Sequence, residues 1–186
     1  RADFADLTTS EAWAPLLDGV DVVVNCVGVL QDGAGDSTAL AHVEGPRALI
    51  QACEQAGVRS LIHISAVGAD DAAGTAYART KAETERLVRA ADLDWLILRP
   101  SLVVDRAAFG GTGLIRALAA FPLFSPVVGG DQVFRPIALS DLGEAVVAAL
   151  KPGAPVHETF DMPGPEAVSM IETVRLYRGW LGLSTA

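Results

Sequence analysis

The stretch AYARTKAETERL, residues 76–87, holds a tyrosine and, four positions on, a lysine. On a helix that spacing projects Tyr77 and Lys81 from one face. Thr84 and Val88 continue the face, while Arg79, Glu83 and Arg86 lie opposite. The chain has only two lysines, Lys81 and Lys151, against twelve arginines, and one of the two sits on the side expected to look inward. The pair has a chemical use. A phenol ionises near pH 10, and an ammonium one turn away favours the phenolate, bringing the group toward the range of a general acid or base. The same lysine can hydrogen-bond a ribose, so that Tyr77 gives or takes the proton of a carbonyl/alcohol pair while a nicotinamide moves hydride. The plainer alternative packs Tyr77 on a sheet and pairs Lys81 with Glu85, its i+4 neighbour.

These residues need elements to hold them. A capping-box pattern at Thr8 and Glu11 predicts a helix ending near Asp18-Gly19. The run VDVVVNCVGVL after Val20 is apolar without alternation, as in a parallel strand buried on both faces. Residues 31–37 form a loop. The next helix runs to about Ala56, with Gly45-Pro46 kinking it or marking its start. Strands are expected at 60–65, 94–100 and 157–162. A glycine- and proline-rich section, 105–135, reads as irregular. Ser140 and Asp141 cap a helix to about Leu150, and a last helix starts near Glu166. Strands alternating with helices predict an α/β fold, a Rossmann-type doubly wound parallel sheet. In such sheets ligands bind beyond the carboxyl ends of the strands. Those ends are Asn25 to Gly28, Ser65 to Gly68, and Arg99 to Ser101.

Composition narrows the function. The 186 residues are 51% hydrophobic with net charge −9, which suits a globular domain with a real core and, with no basic stretch, excludes a nucleic-acid partner. Cys26 and Cys53 fall inside predicted elements and read as buried thiols of a reducing compartment, not as a disulfide or metal site. Mean hydropathy is +0.35, yet no apolar run reaches the length that spans a bilayer.

The motifs VNCVGVL, HVEGPR, HISAVGAD, YARTK and LRPSLV, in this order, resemble the extended or atypical short-chain dehydrogenase/reductases, which include the NAD-dependent epimerase/dehydratases. They are similar more narrowly to bacterial relatives of the nucleotide-binding accessory subunit of respiratory complex I and to NmrA-like members. The resemblance implies NAD or NADP as cofactor and a small carbonyl or alcohol substrate. Tyr77, Lys81 and Ser65 would be the catalytic residues. Asp3 and Phe4 would lie at the adenine, Cys26, Val27 and Gly28 along the cofactor, and His42, Lys81, Pro100 and Val103 near the nicotinamide, with no metal. Residues 1–186 would be one partial nucleotide-binding domain, with 105–137 and 157–186 on the substrate side; Phe134-Arg135-Pro136-Ile137 with Asp141 belongs there. The location implied is cytoplasmic, or peripheral to the inner membrane as part of a membrane complex.

Three departures from the pattern stand out. The glycine-rich phosphate turn is not in this sequence, and the first strands that would carry it are expected to precede Arg1. Gly110-Gly111-Thr112-Gly113 lacks the strand–turn–helix context and reads as a substrate-side loop. Ala66 stands where relatives often carry a serine or threonine, with Ser65 one residue early, so that strand alternation turns it to the other face. His42 replaces a frequent asparagine, either as a polar group at the nicotinamide or as a satisfied helix histidine. Two functions follow: an oxidoreductase or epimerase/dehydratase using Tyr77 and Lys81, or a nucleotide-binding subunit or redox sensor without turnover.

Overall fold

The computed structural model describes residues 2–33, 37–107, 110–122, 124–127 and 129–185. Arg1, the middle of the expected 31–37 loop, and four positions of the 105–137 segment therefore lie outside the described residues. The chain forms two compact units, one of residues 1–99 and 144–161, the other of 100–143 and 162–186.

The first unit is built on a sheet of four strands, in the order β1 (Val22–Asn25), β2 (Ser60–Ile64), β3 (Asp94–Pro100) and β7 (Glu158–Met162). The first three are parallel, with Val23 opposite Leu61 and Leu61 opposite Trp95, as their uninterrupted apolar runs require. One face packs beneath helix α2 (Gly45–Ala56) and helix α3 (Ala76–Ala90). Leu49, Cys53, Leu61, Val88, Trp95 and Ile97 form its core. Thr75 caps α3 by accepting from the Ala78 amide at 3.2 Å, and Ala91 closes it in extended conformation. The expected first helix is cut short: α1 covers only Ser10–Trp13 and gives way to a tight turn through Pro15. Its cap is Thr9, not Thr8, accepting from the Ala12 amide.

Helix α2 starts at the Gly45-Pro46 step, as expected, with proline in its first turn. The helical path is widened upstream, through Leu40–Glu44, where the Gly45 amide reaches back to the Leu40 carbonyl. Proline has no N–H to give the residue four back, and its ring crowds that carbonyl; a wider turn relieves the crowding. The carbonyl left without its helical partner is that of His42, and it accepts the hydroxyl of Thr84 from α3. A side chain at Gly45 would overlap the ring of Phe4, so only glycine admits this contact.

In the second unit, β4 (Val103–Val104) pairs in parallel with β6 (Ile137–Ala138), and β5 (Val133–Phe134) pairs antiparallel with β8 (Val168–Ser169). The section expected to be irregular contains a helix, α4 (Gly110–Ala119), so Gly110 to Gly113 is a helical turn and not a loop. Helix α5 spans Leu139–Ala149, beginning at Leu139 rather than behind a Ser140 cap. Helix α6 (Met170–Trp180) starts later than expected, behind a full capping box of Ser169 and Glu172. Ile115, Ala119 and Val174 form this unit's core.

Replacing Thr84 by valine keeps the shape but removes the donor to the His42 carbonyl. It is expected to cost about 1–3 kcal/mol in the free energy of unfolding, measured by denaturant titration. In a Pro46→Ala background, where an amide again faces that carbonyl, the cost should be smaller.

Candidate functional site

The carboxyl ends of β1 and β2 and the inward face of α3 bring together Asn25, Cys26, Val27, Gly28, His42, His63, Tyr77 and Lys81. Lys81 is the centre. Its side chain is buried, 4% exposed, and its Nζ donates to the carbonyls of Ile64 at 3.1 Å and Val27 at 3.4 Å. Burial brings the amine down to about 8, against the opposing pull of Cys26 and Glu85. Gly28 lies against it: a Cβ there would sit 3.3 Å from both Lys81 Nζ and His42 Nε2. The loop comes this close to both groups because residue 28 has no side chain.

His42, 1% exposed, has both ring nitrogens occupied. Nε2 accepts from the Val29 amide at 3.0 Å, so Nδ1 carries the proton and gives it to Thr80 Oγ1 at 2.8 Å. Thr80 in turn donates to the carbonyls of Ala76 and Tyr77. Burial, and then the nearby ammonium of Lys81, lower the histidine to about 4 despite Asp32. It is thus a neutral strut between the β1 loop and the first turn of α3. Asn25 makes a second strut: its Oδ1 accepts from the Val27 amide at 3.1 Å, and its Nδ2 donates to His63 Nδ1 at 3.2 Å. His63 is pushed to about 3 by burial and by Lys81, and its Nε2 is buried without a partner.

The Tyr77 ring meets His42 edge-on, centroids 5.4 Å apart. The expectation that Lys81 lowers the tyrosine is corrected here. Burial raises the Tyr77 hydroxyl above its usual value, because the ammonium is turned to main-chain carbonyls and not to the phenol. Glu85 does not pair with Lys81 either. Its carboxylate, 1% exposed, accepts Arg99 Nε at 2.7 Å and Nη2 at 2.5 Å, Arg89 Nη2 at 2.7 Å, and Ser65 Oγ at 2.6 Å. Burial pushes Glu85 up, but these hydrogen bonds outweigh it and hold the group below the usual carboxylate range. Ser65 therefore faces Glu85, as alternation requires, and its proton is committed there. The sequence reading missed this cluster. Its signals were a glutamate one turn beyond Lys81 and an arginine in register with Trp95 and Ile97 on the inward side of β3.

Asp3 is exposed and accepts from the Ala5 amide at 3.0 Å. Phe4 packs on Gly45 and edge-on against Trp13, centroids 5.6 Å apart. Cys26 is exposed, correcting its assignment as a buried thiol, while Cys53 is buried. Pro100 is the last residue of β3, and Val103 lies opposite Ile137 in the second unit.

A parallel sheet with polar side chains and a glycine gathered at its strand ends is the arrangement of a nucleotide-binding α/β domain. The NAD(P)H-binding family model matches residues 3–152, and the chain belongs to that family. It is 29% identical over 161 residues to the mouse mitochondrial NADH dehydrogenase [ubiquinone] 1 alpha subcomplex subunit 9, covering 86% of this chain and 42% of that one. It is 28% identical over 143 residues to a ceramide reductase of Caulobacter vibrioides, covering 77% of this chain and 44% of that one. The chain thus spans less than half the length of these curated relatives. The fold matches that of MoeE5 solved with UDP-glucose and NAD, at a TM-score of 0.79 and 22% identity, covering 100% of this chain and 69% of that one. It also matches UDP-glucuronic acid 4-epimerase of Bacillus cereus solved with NAD, at 0.79 and 20%, covering 99% and 66%. The fold and family expected from the motifs are those found.

His42 stays neutral until about pH 4 in the folded protein, whereas in the unfolded chain it takes up a proton near 6.5. The unfolded state then binds more protons, so stability falls as pH drops from 6.5 toward 5, above the range where most carboxylates titrate. Chemical denaturation across that window should show the loss, and His42→Asn should reduce its slope while leaving the share that His63 contributes.

Proposed function

We propose that the chain is the nucleotide-binding part of a protein that holds NAD(H) or NADP(H) without turning it over, in the manner of a subunit or redox sensor. The observation that carries this reading is the commitment of Ser65 Oγ to Glu85 at 2.6 Å, beside an Ala66 that has no hydroxyl. No serine or threonine hydroxyl on this strand end is left to orient a carbonyl oxygen. The residues present fit the nicotinamide–ribose half of the cofactor. Gly28 leaves the gap, the Lys81 amine can exchange a carbonyl for a ribose hydroxyl, and the main chain of Cys26 and Val27 forms the wall. The bound nicotinamide would supply or accept hydride. Tyr77, raised by burial, keeps its proton on Oη at neutral pH and would act as a hydrogen-bond donor to the cofactor rather than as a base.

A second reading is a reductase, favoured by the same raised Tyr77, since a proton held on Oη is available to a carbonyl oxygen being reduced. The relative named a ceramide reductase supports that chemistry, and the complex I subunit relatives support the first reading. They also support a place at a membrane-bound assembly. Among the described residues no helix is long and apolar enough to cross a membrane.

Titration with NADH and NADPH, followed by nucleotide fluorescence, separates the two. Lys81→Met should weaken binding about tenfold, the effect of losing one charge-assisted hydrogen bond. Tyr77→Phe should change it by less than about threefold. Turnover of a carbonyl panel that vanishes in Tyr77→Phe would establish the reductase instead, and no nucleotide binding at all would remove both readings.

A further inference from the structure

The second unit contains a cavity of about 500 Å³, within the range of pockets that enclose a small ligand. Val168, Leu176, Tyr177 and Trp180 give it apolar and aromatic walls, and Arg106 and Arg116 are the cations that line it. The Arg116 guanidinium is fixed from several sides. Nη2 donates to the Arg106 carbonyl at 2.6 Å and the Asp105 carbonyl at 3.3 Å. The guanidinium carbon lies 4.9 Å from the Trp180 ring centroid and 5.8 Å from that of Tyr177. Yet among the described residues no carboxylate pairs with it, and its Nε is buried with no hydrogen-bond partner. Asp105 and Glu166 also line the cavity, but Asp105 offers Arg116 its main-chain carbonyl and not its side chain. The Nη2 bonds of Arg116 are exposed, but its buried Nε is a donor without an acceptor, and such a donor calls for one.

We infer that this cavity binds an amphiphile whose acyl or similar apolar body lies against Leu176, Val168 and Trp180 and whose carboxylate oxygen accepts from Arg116. The apolar walls remove the chain from water. The anion neutralises the guanidinium and takes the Nε–H that the fold leaves open. Stacking on two rings and the hydrogen bonds to two carbonyls hold Arg116 in place before the ligand arrives. Leu176 and Trp180, 65% and 61% exposed, form the mouth. The site belongs to the second unit alone and does not depend on how the nucleotide site is read.

Calorimetric titration with dodecanoate and with dodecyltrimethylammonium, each below its micelle concentration, tests this. The chains are equal in length and the head groups opposite in charge. A net charge of −9 favours the cation at any nonspecific apolar patch, so a preference for the anion must be local. Dodecanoate is expected to bind at least about tenfold more tightly than the cation. Arg116→Met should abolish the preference. Arg116 also ties down two loop carbonyls, so Leu176→Asp, at an exposed helix position that should leave the fold intact, serves as the second variant; it should weaken dodecanoate binding about tenfold or more with the circular dichroism unchanged. The inference is overturned by cation binding as tight as that of dodecanoate. It is overturned equally by a Leu176→Asp protein that binds dodecanoate normally, or by no saturable binding up to about 1 mM.

Discussion

The first unit depends on where the amine of Lys81 goes. At the carboxyl end of a parallel sheet the last carbonyls of each strand have no next strand residue to bond, and a buried carbonyl without a donor is costly. Lys81 reaches two of these, Ile64 at the end of β2 and Val27 in the loop after β1. One cation from a helix therefore registers α3 against two strands at once. The cost is the desolvation of an ammonium, visible in its depression to about 8; three-fold hydrogen-bonding capacity and opposed carbonyl dipoles offset it. The rest of the helix face follows from that anchor. One turn toward the N-terminus stands Tyr77 against His42. One turn the other way stands Glu85 among Arg99, Arg89 and Ser65. Another turn brings Val88 into the apolar core. A single face thus passes from chemistry to salt bridge to hydrocarbon within three turns.

Lys81 and Glu85 are neighbours at i and i+4, and their separation is as informative as a pairing would be. Arginine meets a carboxylate with two parallel N–H groups, which an ammonium cannot do. Arg99, held on β3 with a fork already pointed inward, takes both oxygens of Glu85. The lysine is left to the main chain and the site. The same choice decides Ser65. Its hydroxyl completes the carboxylate's shell, and in doing so it becomes part of the packing between β2 and α3.

The sheet was legible in the sequence because strands buried on both faces are written as continuous apolar runs; β2 and β3 fall within a residue of their runs, while β1 takes only Val22–Asn25 of its longer one. Helix α3 was legible from its cap and its face. What escaped depends on contacts between segments far apart in sequence. No local pattern says that Pro46 will hand the His42 carbonyl to Thr84, or that Arg99 will outcompete Lys81 for Glu85. Helix α4 was hidden by glycines, which lower intrinsic helix propensity; packing of Ile115 and Ala119 against Val174 overrides it. The shortened first helix was open to inspection in Pro15, and the capping box in Ser169 and Glu172. The direction of Tyr77 was misread because spacing on a helix gives proximity but not the aim of a flexible amine.

That aim bears on what a tyrosine–lysine pair means. In this fold the lysine has a structural task that exists whether or not a reaction occurs, since without it two strand-end carbonyls would be buried unpaired. The tyrosine likewise fills space against His42. A chain can therefore keep both residues for folding and cofactor contact alone. The group with no such second task is a free hydroxyl at the end of β2, useful only to hold a reacting oxygen. Here position 66 is alanine and the serine at 65 is spent on Glu85. The discriminating feature of the site is thus not the pair that first draws the eye but the hydroxyl beside it, and the physical reason is that only the hydroxyl is free of the fold's own demands.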